Sequence, residues 1–250
     1  MKKLTYLLAS AAVLAACQSQ PTSYKITGIV EEGASIKDST LAVLSTPSGN
    51  DTVEVMNKQF TFEGKADTAN LVSIRFFNKD SKRPYNGVNF VLENGNINMT
   101  FKEDANIIGG TANNDKLNSF MQKNDSISRP VQDAYMAAMD TTLSEDERNS
   151  KMMAVREMSR KANEETEALY KAFIQENIGN VLGYSFFTRY GSSIFSLEER
   201  EALIPQVAPS YANSEAIQEM KASIEIEKKT AVGQKFTDFA MKTPEGKDLK

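Results

Sequence analysis

"FVLENGNINMTFKEDANIIGGTANNDKLNSFM", residues 90–121, holds the change of pattern that decides the fold. Up to Ile108 the stretch is made of short apolar runs broken by turn formers, the signature of strands. After Thr111 the period lengthens: Leu117, Phe120, Met121 and Asn124 recur at helical steps on one face. Gly109-Gly110-Thr111 is the joint between the two regimes. It could be taken for a phosphate loop, but the Gly-Lys-Ser/Thr that would follow is missing, so it is a strand-to-helix turn. Within the first regime, Asn94-Gly95 between "FVLE" and "INMTF" predicts a tight hairpin with positive backbone φ.

Upstream the strand regime continues. Residues 24–30, 40–44, 52–56, 59–62, 71–77, 88–92, 97–101 and 106–108 are runs rich in β-branched and aromatic side chains. Ser48-Gly49-Asn50-Asp51 and Asn57-Lys58 stand between them as turns. Eight short strands at this spacing predict an antiparallel sandwich or open barrel. Downstream the helical regime holds to about residue 230, with Pro130 expected to interrupt its first run. Ser144 to Glu147 is a capping box. The helix it opens carries Met152, Val155, Met158, Ala162, Leu169 and Phe173 on one face. A second box, Ser196 to Glu199, opens another helix, and residues 214–228 read as the last.

What is missing narrows the chemistry. The 250-residue chain has no histidine, which removes Ser-His-Asp and Cys-His catalysis and the usual zinc sites. Its single cysteine, Cys17, rules out an internal disulfide or a CxxC within these residues. With 29 basic against 33 acidic residues and no basic stripe, nucleic acid is not the expected partner. No cofactor site, metal site or catalytic residue is expected. Glu145, Asp146 and Glu147 could hold a cation, but acids in a helix's first turn are favoured by the dipole alone. Tyr184, Phe186, Phe187 and Tyr190 could stack a ligand, though aromatics so spaced are more often packing. The eleven methionines read as packing residues.

The chain opens "MKKLTYLLASAAVLAAC". Lys2 and Lys3 form a positive leader, and residues 4–16 an apolar stretch too short to span a bilayer comfortably. Leu14-Ala15-Ala16-Cys17 resembles a bacterial lipobox, the competing interpretation being a plain secretory signal with a chance cysteine. The resemblance implies cleavage before Cys17, acylation of that residue and attachment to a membrane. Gln18, where an inner-membrane retention signal would have aspartate, implies the outer membrane, and a short tether without the acidic run linked to surface export implies a chain facing the periplasm.

Asp38-Ser39-Thr40, Asp51-Thr52-Val53, Asp67-Thr68-Ala69, Asp125-Ser126-Ile127 and Asp140-Thr141-Thr142 share one pattern. It resembles the acceptor motif of a periplasmic O-glycosylation system in some Gram-negative bacteria, and implies Ser39, Thr52, Thr68, Ser126 and Thr141 as acceptors. Ordinary turn and cap chemistry accounts for such pairs equally well.

The closing stretch, "VGQKFTDFAMKTPEGKDLK" (residues 232–250), reads as a strand, a turn at Pro244-Glu245-Gly246, and the start of a returning strand. Val232-Gly233, Asp238-Phe239 and Glu245-Gly246-Lys247 resemble the opening of thioredoxin-like domains of the alkyl hydroperoxide reductase/thiol-specific antioxidant type. Thr237 stands where proline is usual. "FVLENGNINMTF" and "GGTANNDKLNSFM" resemble a domain of unknown function that often precedes such domains in envelope lipoproteins.

These observations lead to an α+β chain: signal peptide 1–16, lipidated cysteine and tether 17–23, β-sandwich 24–111, helical region 112–230, and an incomplete thioredoxin-like domain from 231. The implied function is the N-terminal part of a lipid-anchored periplasmic thiol-disulfide oxidoreductase acting on protein thiols and disulfides, with its CxxC beyond Lys250. A non-enzymatic envelope lipoprotein, serving as a binding or scaffold module, is the alternative. A peroxidase of the same superfamily is the third.

Overall fold

The computed structural model describes residues 21–81, 83–230, 241, 242, 244 and 247–249. Eight strands, β1 (Tyr24–Val30), β2 (Leu41–Thr46), β3 (Gly49–Glu54), β4 (Gln59–Gly64), β5 (Asn70–Phe77), β6 (Asn86–Leu92), β7 (Gly95–Phe101) and β8 (Asn106–Gly109), make two four-stranded sheets. Their orders are β4-β1-β7-β8 and β3-β2-β5-β6. Alternate residues turn inward, as a period of two requires. Ile26, Phe62, Ile74, Phe76, Phe90, Ile97, Met99 and Phe101 are buried in one shared core, so the two sheets form the expected sandwich. The ring of Phe60 lies against Gly28 of β1, where an added Cβ would stand 2.1 Å from it. That ring in turn packs on Phe62, Phe76 and Phe101 with centroids 5.6–5.9 Å away.

Every strand pair in the sandwich is antiparallel except β1 with β7, which run parallel in the register Ile26↔Ile97. Between them the chain builds β2 and β3 in the second sheet, returns for β4, and adds β5 and β6 before β7 enters the first sheet beside β1.

Two turns differ from the sequence reading. Asn94-Gly95 is not a hairpin but a corner between sheets, because β6 and β7 belong to different ones. A tight primed hairpin needs positive φ at both central residues. Here Gly95 has φ 135°, while Asn94 does not reach positive φ. The Asn94 side chain instead accepts from Ala66 N–H (2.9 Å) and donates to Ala66 C=O (3.0 Å), pinning the corner to the β4–β5 loop. Asn57 and Lys58, at φ 51° and 59°, are the pair that takes the left-handed geometry, closing the Met56–Gln59 turn. The other difference is at Ser48–Asp51. Gly49, Asn50 and Asp51 are already paired with Thr46, Ser45 and Leu44, so the turn is Pro47-Ser48.

From N-cap Thr111 the chain becomes helical: α1 (Ala112–Ala138), α2 (Glu145–Asn177), α3 (Val181–Ile194), α4 (Leu197–Leu203) with a 3-10 turn Ile204–Gln206, and α5 (Glu215–Thr230). Both capping boxes form, Ser144 with Glu147 and Ser196 with Glu199. Pro130 does not interrupt α1. Packing against α2, with an Arg129–Asp125 ion pair (2.8 Å) in the turn before the proline, offsets the one backbone bond proline removes. Beyond α5, Met241–Lys242 (β9) pairs antiparallel with Asp248–Leu249 (β10). Residues 231–240, which include Phe236 and Phe239, lie outside the described residues.

The helices cover the outer face of the second sheet. Val91 of β6 is fully buried and belongs to the helical core with Leu117, Phe120, Ile174, Leu182 and Phe187. Thr111 therefore marks the change of period, while the packing runs across it. Strands β6 and β8 are free edges of their sheets, and α1 closes both. Asn114, fully buried, accepts from Val91 N–H and donates to Val91 C=O, each at 2.8 Å, standing in for a missing strand. One turn on, Asn118 accepts from Ile108 N–H of β8 at 3.2 Å. Asp115 takes Gly110 N–H at 3.0 Å, fixing the joint itself.

Candidate binding cleft

Where α1, α2 and α3 meet the outer face of β5 and β6, they leave a cleft of about 320 Å³. Its interior is apolar. Leu71 of β5 and Leu117 and Met121 of α1 line it, together with the rings of Phe120, Phe186 and Tyr190. Alternation along β5 sends Val72, Ile74 and Phe76 into the sandwich, which leaves Leu71 for the helices. The rings hold one another edge to face: Phe120 to Phe186 at 5.0 Å, Phe173 to Phe186 at 4.9 Å, Tyr170 to Tyr190 at 5.0 Å. Burial raises the Tyr170 hydroxyl above the ordinary tyrosine value, and its neighbour Tyr190 adds to the rise. The Tyr170 phenol therefore stays protonated through the physiological range.

Polar groups line the cleft as well. Asn89 of β6, an exposed residue, lines the cleft, and its side-chain oxygen accepts from Arg75 Nη2 at 2.9 Å. The remaining Arg75 bonds go to backbone carbonyls of Ile74 and Val88, both at 3.3 Å. Gly87 leaves room for that arginine: a Cβ there would come within 2.5 Å of Arg75 Cδ. Asn124 and Asp125 of α1 and Ser185 and Arg189 of α3 also line the cleft. Asp125 is gripped by Arg129 through Nε and Nη2, at 3.1 and 2.8 Å. Arg189, by contrast, makes no side-chain bond or ion pair among the described residues. A second, larger groove of about 550 Å³ runs between α1 and α2, but it mixes Lys116 and Lys123 with Asp115 and Glu176.

The aromatic set of the sequence is divided by the fold. Phe186 and Tyr190 reach the cleft. Phe187 is fully buried against Phe195, and Tyr184 stacks on Tyr211 at 4.5 Å. Tyr211 also donates to Ala69 C=O at 2.7 Å, fastening the helices to the sandwich. The acidic cluster has a structural role at Glu147, which closes the capping box and accepts from Ser144 N–H at 3.0 Å. The methionines are not all packing residues: Met56, Met136, Met139 and Met153 are each more than half exposed. Cys17 lies outside the described residues. Ser39, Thr52, Thr68, Ser126 and Thr141 are all exposed and scattered over the surface, so they form no common site. Asn89 and Arg189 escaped the sequence reading. A signal for Arg189 existed, a cation three residues after Phe186 on the face that carries Tyr190, but nothing local said that this face was open.

Residues 24–117 match the family model described as a domain of unknown function, DUF4369. The match spans the whole sandwich and the first turns of α1. It thus includes Asn114 and Asp115, the residues that bind α1 to the sheet edge and the joint. No curated protein matches the chain.

Proposed function

We propose that this chain is the N-terminal, non-catalytic part of a lipid-anchored envelope thiol-disulfide oxidoreductase. The observation that carries the reading is the antiparallel pair Met241–Lys242 with Asp248–Leu249, which follows α5 in a stretch similar to the opening of thioredoxin-like domains. The sandwich and helices would hold the redox domain away from the membrane. The catalytic cysteines, expected after Lys250, would work as a thiolate pair: one sulfur attacks a substrate disulfide and the second resolves the mixed disulfide. Residues 18–250 should then reduce no protein disulfide above the dithiothreitol background, and the polypeptide carrying the residues after Lys250 should. Activity in residues 18–250 alone, or a continuation without Cys-x-x-Cys, would refute the proposal. Attachment would be through acylated Cys17, since none of the described helices is long and apolar enough to cross a membrane. Cys17→Ser should move the protein from the detergent phase to the soluble fraction, and retention in detergent would sink the lipobox reading.

A second reading, a binding module, is favoured by the cleft, whose aromatic walls and uncommitted polar groups have no structural need to stay open.

A further inference from the structure

We infer that the cleft between α1, α3 and the outer face of β5 and β6 binds an apolar N-acyl α-amino carboxylate, the chemistry of a peptide C-terminus or a free N-acylated amino acid. The inference goes beyond the redox reading and does not depend on it. The cleft's volume, about 320 Å³, is near the lower end for small-ligand sites, so it suits one residue-sized group and not an extended chain.

Charge complementarity selects the ligand's head. From α3 the cleft faces Arg189, which has no acidic partner among the described residues. From the sheet it faces Asn89, backed by Arg75, whose bonds go only to neutral oxygens. From α1 it faces Asp125, paired with Arg129 at 2.8 Å, a cation that also reaches Asp104 at 3.7 Å. From α2 it faces Tyr170, whose hydroxyl is neutral. Arg189 is thus the charge without a counter-ion among the described residues, set at the mouth of an apolar interior. A guanidinium fork matches a carboxylate in plane and spacing, and gains most where its other partners are absent.

The neighbouring groups select the rest. Asn124 and Ser185 line the same cleft, and neither side chain makes a hydrogen bond among the described residues. An amide one bond from the carboxylate has an N–H and a C=O to offer them. The Phe186–Tyr190 wall, with Leu117 and Met121 opposite, accepts an apolar or aromatic side chain.

Met121 supplies the probe, being 37% exposed and in the cleft. Carbon-13 methyl labelling of methionine lets its signal be followed in residues 18–250, assigned with Met121→Leu. Three compounds are titrated: N-acetylphenylalanine, an acetylated tripeptide ending in phenylalanine, and neutral N-acetylphenylalaninamide. Both acids should shift the Met121 signal saturably, and the amide should bind at least about tenfold more weakly, as for loss of a charge-assisted bond. Arg189→Gln should weaken the acids by a similar factor and leave the amide unchanged. Because Arg189 is exposed, the other methionine signals should not move, which checks the fold. Tighter binding of the tripeptide would mark a peptide C-terminus as the source, and tighter binding of the single amino acid a free metabolite. Absence of saturable shifts, equal affinity for the amide, or an Arg189→Gln variant that binds like the parent would overturn the assignment.

Discussion

Asn114→Ala tests the joint between sandwich and helices most sharply. Asn114 is fully buried and satisfies both backbone groups of Val91, itself fully buried, on the free edge of β6. Alanine leaves an amide N–H and a carbonyl without partners in a dry interface. Each orphaned group costs about 1–3 kcal/mol, so the pair should cost about 4 kcal/mol. Alanine's better helix propensity returns about 0.5 kcal/mol. The expected loss is therefore about 3.5 kcal/mol. With a urea m-value of about 2 kcal/mol/M, the midpoint should fall by about 1.8 M. Asn118→Ala is the internal comparison, because it frees only Ile108 N–H, bonded at 3.2 Å, and should cost about 1 kcal/mol. Asn114→Asp keeps the acceptor for Val91 N–H but sets a carboxylate against Val91 C=O, so it should not rescue at neutral pH. Native-state hydrogen exchange adds a local readout, since the Val91 amide should lose its protection in Asn114→Ala before the central β1 amides do. If Asn114→Ala shifts the midpoint no more than Asn118→Ala does, the asparagine is not closing the edge and the account is wrong.

Gly28→Ala should destabilise the sandwich by about 1–3 kcal/mol, because its Cβ would fall on the Phe60 ring; Gly28→Ala with Phe60→Leu should recover part of this in urea melts. Ser144→Ala should cost about 1 kcal/mol through the lost cap of α2. Hydrogen bonds from the Ser144 hydroxyl and N–H hold the Glu147 carboxyl below its ordinary value. A depressed carboxylate stabilises above its unfolded pKa and stops doing so as pH falls through the folded one. The gap between parent and Ser144→Ala should therefore narrow on acidification through the carboxylate range, and a constant gap in pH-dependent melts would contradict the box. Among the five candidate acceptors, Thr141 sits in the α1–α2 loop, whereas Ser126 lies in α1 with its hydroxyl on Lys123 C=O at 2.7 Å. Glycopeptide mass spectrometry of envelope protein should find Thr141 occupied more fully than Ser126, and occupancy of Ser126 alone would argue that helix geometry is no obstacle.

Local chemistry was enough to read the elements. Alternation of inward residues put eight strands between Tyr24 and Gly109, and the two Ser-x-x-Glu boxes marked the starts of α2 and α4, because each signal depends only on neighbours within one turn or pleat. Turns were less secure. Asn94-Gly95 has the composition of a tight hairpin, yet two hydrogen bonds to Ala66, 28 residues away, made it a corner between sheets. Pro130 forfeits one backbone bond, but packing along α2 carried α1 through it. The cleft was the least legible part. Of four aromatics in one short stretch, helical phase and the position of the sheet decided that Phe186 and Tyr190 would line an opening while Phe187 closed into the core. Arg189 and Asn89 stand 100 residues apart and become one site only because α3 packs on β5. Sequence sets which side chains are available and the period at which they recur. Which of them face the same space depends on contacts between distant segments, whose energies no local pattern carries.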